Sequence, residues 1–287
     1  MKYLFCTDGS KESFNALEGA LRLVKNGFTV DVFFIKEEEN ILNKLYNNEI
    51  KFLNFEKIIK KSKEIIEKHY HFFGEAFVEK GSVQKVINHL DNNFYNMVIL
   101  GSHNYIGVQN QFFSFARKVL ETAPCPVFIF RGEHKKNFPE KRKSILLCVD
   151  STYQTLNAVI SFMKNFDTDN DINLITVSAD FFQHPLEISL SGNYVEEILE
   201  NESAIAKKSL DEIERILCNN SINVKSKIHL RGNPSEEILN FVQKDFSLIV
   251  LGSHSRESLV DFLFGSVSKS ILDYSVLPVL IVPTKKI

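Results

Sequence analysis

Short apolar runs alternate with longer amphipathic stretches along the whole chain, and the alternation is clearest in the second half. SILLCVD, from Ser144, is apolar up to its aspartate, the pattern of a buried strand. A helical stretch follows from about Tyr153, and DINLITVS reads as a second strand. From Tyr194 to Cys218 apolar residues recur at helical spacing, which predicts a long amphipathic helix. INVKSKIHL alternates like a strand at or near a sheet edge. PSEEILNFVQ reads as a short helix with Pro234 near its first turn. SLIVLG is a fully apolar strand, a helix is expected over roughly Leu259 to Asp273, and LPVLIV closes the series. Strands that alternate with helices imply parallel pairing with helices on both faces of the sheet. Five strands of this kind fit a doubly wound, Rossmann-like α/β domain.

The first half has the same rhythm because it is a copy. KYLFCTDGSKESFNAL from Lys2 aligns with SILLCVDSTYQTLNAV from Ser144, placing Cys6 on Cys148 and Asp8 on Asp150. VEKGSVQKVINHL aligns with HLRGNPSEEILNFV, and MVILGSHNY with LIVLGSHSR. The ends agree as APCPVFIF with SVLPVLIV. Four anchors in one order are the mark of an internal repeat. RGEHKKNFPEKRK between the copies is polar, charged and broken by Pro139. The expected organisation is two tandem Rossmann-like domains, 1–132 and 144–287, each a five-stranded parallel sheet, with a linker over 133–143.

The 287 residues suffice for two ordinary domains, and 44% apolar content with 25 Phe supplies each with a core. A formal charge of −2 gives no global field toward nucleic acid or a membrane surface. Asp8 arrives too early for a signal peptide, and no apolar run approaches the ~20 residues of a membrane helix. Cys6, Cys125, Cys148 and Cys218 form no C-x-x-C pair, and three lie in apolar runs. A reducing cytoplasm is the expected setting.

In such sheets ligands sit beyond the carboxyl ends of the strands, where strand order reverses. Asp150 ends the first strand of the second copy, and the loop after its fourth strand belongs there too. That loop runs Gly252, two residues, Ser255, nine residues, then Gly265-Ser266. Phosphate oxygens need several donors and little side-chain bulk. Glycines admit the backbone, a helix start offers N–H groups, and Ser266 and Ser268 add hydroxyls.

On these residues the chain resembles a tandem member of the universal stress protein family. Nucleotide-binding members carry a glycine, two residues, a glycine, nine residues, then Gly-Ser or Gly-Thr. The resemblance covers nearly the whole chain twice. It implies an adenine nucleotide, ATP or AMP with or without Mg²⁺, in the second copy. Asp150 would hold the ribose, Val177 and Leu251 would flank adenine, and Gly252, Ser255, Gly265, Ser266 and Ser268 would meet the phosphates. The family's middle glycine is Ser255 here. The first copy departs further, with Gly101, Asn104 and then Ser114-Phe115, so it is expected to be weak or dead for ATP. Single-domain members pair through their last strands, so VFIF and VLIV are expected to make an internal pseudo-dimer, with a homodimer of chains as a further option.

The remaining residues add little chemistry. Asp8 is read as a helix N-cap. His103 and His254 lack a partner nucleophile and are read as polar loop residues. Cys6, Cys148 and Cys125 are read as small core residues. His69 and His71, two apart, share no helix face and are not read as metal ligands. Lys135, Lys136, Lys141, Arg142 and Lys143 alternate with Glu133 and Glu140, as in a solvated linker. ADFFQHPLEISLSGNY, with Phe181 and Phe182, fits a lid, a partner surface or an ordinary connection. No Walker-type loop, general base or nucleophile is evident. Binding with at most slow ATP hydrolysis is therefore expected, and an interaction scaffold without nucleotide is the rival reading.

Overall fold

A computed structural model of the chain describes residues 1–36, 55–80, 83–102, 111–131, 143–150, 153–167, 169–178, 192–242, 246–253 and 265–283. The chain divides into two compact units, Met1–Lys136 and Asn137–Ile287.

The first unit runs β1 (Lys2–Thr7), α1 (Lys11–Leu21), β2 (Thr29–Lys36), α2 (Phe55–Lys68), β3 (Phe72–Lys80), α3 (Gln84–Asn92), β4 (Met97–Ser102), α4 (Gln111–Thr122) and β5 (Val127–Arg131). Its strands lie in the order β3-β2-β1-β4-β5, all paired in parallel. The second unit runs β6 (Ser144–Cys148), α5 (Tyr153–Asn165), β7 (Asp171–Ser178), α6 (Gly192–Asn219), β8 (Val224–Arg231), α7 (Pro234–Phe241), β9 (Leu248–Gly252), α8 (Ser266–Tyr274) and β10 (Val279–Val282). Its order, β8-β7-β6-β9-β10, repeats the first, again in parallel. Each unit is a Rossmann-like α/β domain.

The sequence explains the layering. Tyr3, Leu4, Phe5 and Cys6 in β1 are wholly buried, as are Ile145 and Leu146 in β6. Consecutive side chains on a strand face opposite ways, so a continuous apolar run needs cover on both faces. The helices begin on residues suited to the task. Ser10 caps α1 by accepting the Ser13 N–H at 3.2 Å. Asn233 caps α7 by accepting from Ser235 and Glu236 at 3.0 and 3.4 Å, with Pro234 in the first turn. Both long helices stop in one way. Tyr70 and Ser221 take left-handed φ of 60° and 59°, and the following N–H groups of His71 and Ile222 return to the Ile66 and Leu217 carbonyls.

One buried polar cluster in the first unit was not legible beforehand. Asp31 of β2 is fully buried at the amino end of the sheet. It receives Lys2 Nζ at 2.6 Å, Tyr95 Oη at 2.8 Å and the Glu75 N–H at 3.0 Å. His89 Nε2 lies 2.8 Å from the same tyrosine oxygen. Burial and the Asp31 carboxylate together push the Tyr95 hydroxyl well above its ordinary range. A Cβ at Gly74 would collide with Asp31 Oδ1, which accounts for glycine there. At the matching place in the second unit the cluster is neutral. Asn173 Nδ2 donates to Ser144 Oγ at 2.9 Å and its Oδ1 accepts from Ser226 at 2.6 Å.

Candidate functional site

Strand order in the second unit reverses between β6 and β9, so the connections leaving them part and open a crevice. A cavity of about 300 Å³ lies there. That is at the lower end of the volumes that hold small organic ligands. Its apolar wall comes from Ile175 and Val177 of β7, Ile238 of α7 and Leu251 of β9. Residues two apart on a strand share a face, which is why Ile175 and Val177 both reach it. Asp150 and the start of α8 also line it, with Gly265, Ser266, Val267 and Ser268.

Gly265 is the N-cap of α8, at φ −55° and ψ 144°, and its carbonyl accepts the Lys269 N–H at 3.0 Å. That conformation is open to any residue. The N–H groups of a helix's first turn have no partner within the helix. Here they belong to Ser266, Val267 and Ser268, and the helix dipole adds positive potential at the same end. The start of α8 is thus arranged to receive an anion. The helix expected from Leu259 is, in its described part, a helix from Ser266, and the chain at Gly265 is extended.

Asp150 is held by Thr155, a residue the sequence did not single out. Thr155 Oγ1 accepts the Asp150 N–H at 2.9 Å and donates to Asp150 Oδ1 at 2.7 Å. Thr155 is 3% exposed. Its place, five residues beyond the aspartate in the first turn of a predicted helix, was the available signal.

The first unit differs at its aspartate and at the helix that follows β4. Asp8 Oδ1 accepts the Ser10 N–H at 2.9 Å, and Ser10 rather than Asp8 caps α1. The expected N-cap is thus displaced by two residues, because the loop Asp8-Gly9-Ser10 turns through left-handed Gly9 at φ 83° before the helix begins. Gly101, the counterpart of Gly252, packs against α1. A Cβ there would come 2.5 Å from Ser13 Cα and 2.9 Å from the Glu12 carbonyl oxygen. Most telling, α4 begins at Gln111, so Ser114 and Phe115, the counterparts of Gly265 and Ser266, are its fourth and fifth residues. At the fifth position the backbone N–H is already used within the helix.

Of the residues singled out for the nucleotide, Asp150, Val177, Leu251, Gly252, Gly265, Ser266 and Ser268 line this one cavity. Ser255 lies outside the described residues, as do His103, Asn104, His254, Phe181, Phe182 and the linker bases Lys135, Lys136, Lys141 and Arg142. Cys6 and Cys125 are core residues, but Cys148 is only half-buried and also lines the cavity. Burial first, then the Asp150 charge, pushes the Cys148 thiol far above its ordinary range. His71 accepts the Phe28 N–H at Nδ1, 3.3 Å away, and His69 Nε2 lies 3.7 Å from Glu18. Among the described residues no cluster of three metal-ligating side chains forms, and no helix is long and apolar enough to cross a membrane.

Comparison with known proteins agrees with this architecture. The profile of the universal stress protein family matches residues 1–131 and 141–283. Universal stress protein MJ0577 of Methanocaldococcus jannaschii is 33% identical over 81 residues, 28% of this chain and 49% of its own length. Universal stress protein YxiE of Bacillus subtilis is 45% identical over 56 residues, 19% of this chain and 38% of its own. The matched stretches thus span about half or less of these relatives. The crystal structure of a universal stress protein from Archaeoglobus fulgidus DSM 4304 superposes with a TM-score of 0.60, covering 98% of both chains at 18% identity, a likeness of fold.

Proposed function

The chain belongs to the universal stress protein family, and on that footing we propose that it is a stress-response protein whose second unit binds an adenine nucleotide, ATP or AMP, while the first serves as a structural partner. The observation that carries this reading is the convergence, on one cavity, of a carboxylate, an apolar slot and the open start of a helix. Each matches one part of a nucleotide. Asp150 accepts hydrogen bonds from ribose hydroxyls. Ile175, Val177, Ile238 and Leu251 enclose the flat apolar faces of a base. The N–H groups and hydroxyls opening α8 receive phosphate oxygens.

Calorimetric titration of the full chain with ATP and Mg²⁺, beside a Gly265→Asp variant, tests this. Micromolar binding at about one site per chain, lost in the variant, is expected, because the new carboxylate repels phosphate and fills the space glycine leaves. No heat and no shift of melting temperature at millimolar ATP would overturn the reading in favour of an interaction scaffold.

A further inference from the structure

The two units carry the same aspartate in the same place and hold it differently. In the first, the residue aligned with Thr155 is Ser13, and its hydroxyl is not directed to Asp8. It donates to the Ser10 carbonyl at 2.9 Å and lies 2.7 Å from Thr7 Oγ1. Thr7 Oγ1 itself accepts the Gly9 N–H at 3.0 Å. The loop hydroxyls of the first unit therefore bind one another and the backbone. In the second unit Val149 stands where Thr7 does and offers no hydroxyl. Thr155 turns instead to Asp150, and all three residues line the cavity.

We propose that Thr155 is a positioning residue for the Asp150 carboxylate, that Val149 leaves it to that task, and that the pair makes the site select nucleotides with an intact ribose diol. This rests on the nucleotide reading given above. A carboxylate that must meet two vicinal hydroxyls gains most when its rotamer is set before the ligand arrives. A buried hydroxyl donating to one oxygen sets it, since a hydrogen bond to a charged group is stronger than one between neutral groups. A threonine at 149 would offer Thr155 a second partner, as Thr7 does for Ser13.

The test uses the full chain with Mg²⁺ and compares ATP with 2′,3′-dideoxy-ATP in four proteins: wild type, Thr155→Val, Thr155→Ser and Val149→Thr. The wild type is expected to favour ATP. Thr155→Val should weaken ATP about tenfold, the order of one hydrogen bond to a charged group, and leave the dideoxy analogue unchanged. Thr155→Ser should keep the preference, and Val149→Thr should reduce it. A general loss of stability moves both ligands together and leaves their ratio alone. An unchanged ratio in Thr155→Val or Val149→Thr overturns the inference while the nucleotide reading stands. A wild type that binds neither ligand at millimolar concentration overturns both.

Discussion

Gly265 stands just outside its helix, and Ser114, which occupies the same place in the first copy of the fold, is the fourth residue of one. Four residues are slightly more than a helical turn. That shift removes the open N–H groups from the place where the second unit presents them. The two copies therefore differ at the site through the backbone, and the exchange of a hydroxyl for the Phe115 ring is a smaller part of the difference.

Ser114→Asp consequently reads as a control. No phosphate is expected at that place to be repelled by an added carboxylate. Nucleotide affinity and stoichiometry should match the wild type. Calorimetry with ATP checks this against Gly265→Asp. A loss of binding in Ser114→Asp would mean that the first unit also holds ligand.

The pair formed by buried Asp31 and the partly exposed Lys2 invites a transplant. Asp31 answers Lys2, Tyr95 and a backbone N–H, whereas Asn173 meets two serines at the matching place. Asp31→Ala leaves buried donors without an acceptor and is expected to cost about 2–4 kcal/mol. The double change Lys2→Ser with Asp31→Asn imports the neutral pair and should cost less than half as much. Urea unfolding of the three proteins decides it.

Much of this fold could be read from the chain, for identifiable reasons. The apolar runs of β1, β6, β4 and β9 are continuous because parallel strands are covered on both faces, so period and length sufficed. The repeat then tied Asp150 to the end of β6 and Gly252 to the end of β9, and the reversal of strand order brought them together. What stayed hidden was set by side-chain competition. Whether Thr155 bonds to Asp150 depends on Val149, and whether Asp31 is tolerated in a core depends on Lys2 and Tyr95. The extended backbone at Gly265 is not legible in the apolar periodicity, which continues from Leu259 across that residue.

The helix stops of α2 and α6 offer a gain in stability. Tyr70 and Ser221 hold left-handed φ with a Cβ present, a conformation that strains side chains and suits glycine. Tyr70→Gly and Ser221→Gly are each expected to stabilise by about 0.5–1 kcal/mol, since the returning hydrogen bonds from His71 and Ile222 do not involve the replaced side chains. Thermal melts of the single and double variants check the gain. Lower melting temperatures in both would mean that the side chains make contacts outweighing the strain.

Glu18 should support the first unit in mild acid. Burial raises its carboxyl, but hydrogen bonds from Arg22 and Lys68 and their charges outweigh this and hold it down at about 2. A carboxyl lowered in the folded state adds stability that is present above its unfolded value and lost as pH falls toward the folded one. The window thus runs from about pH 4.5 down to 2. With Glu18 27% exposed, roughly 1–2 kcal/mol is expected after allowance for screening by solvent. Glu18→Gln should be less stable at pH 7 by that amount and show a flatter decline between pH 4.5 and 2.

His71 acts on the same acid side at higher pH. It is 3% exposed and accepts the Phe28 N–H at Nδ1, 3.3 Å away. A protonated ring cannot accept at that nitrogen. Burial, the largest influence, therefore holds its pKa below the ordinary value. Between the two values the unfolded chain binds the proton and the folded chain does not, so stability rises with pH through this window. It is fully present above about pH 6.5 and falls below it, by at most ~1.4 kcal/mol per pH unit for one group. His69 and His89 are lowered in the same direction, each chiefly by burial, and add to the slope. His71→Asn keeps an acceptor for Phe28 and removes one titration. Its urea midpoint should vary less between pH 5 and 7 than that of the wild type. Identical slopes in the two proteins would show that the ring stays neutral in both states or is charged in both, and would remove His71 from the account of acid sensitivity.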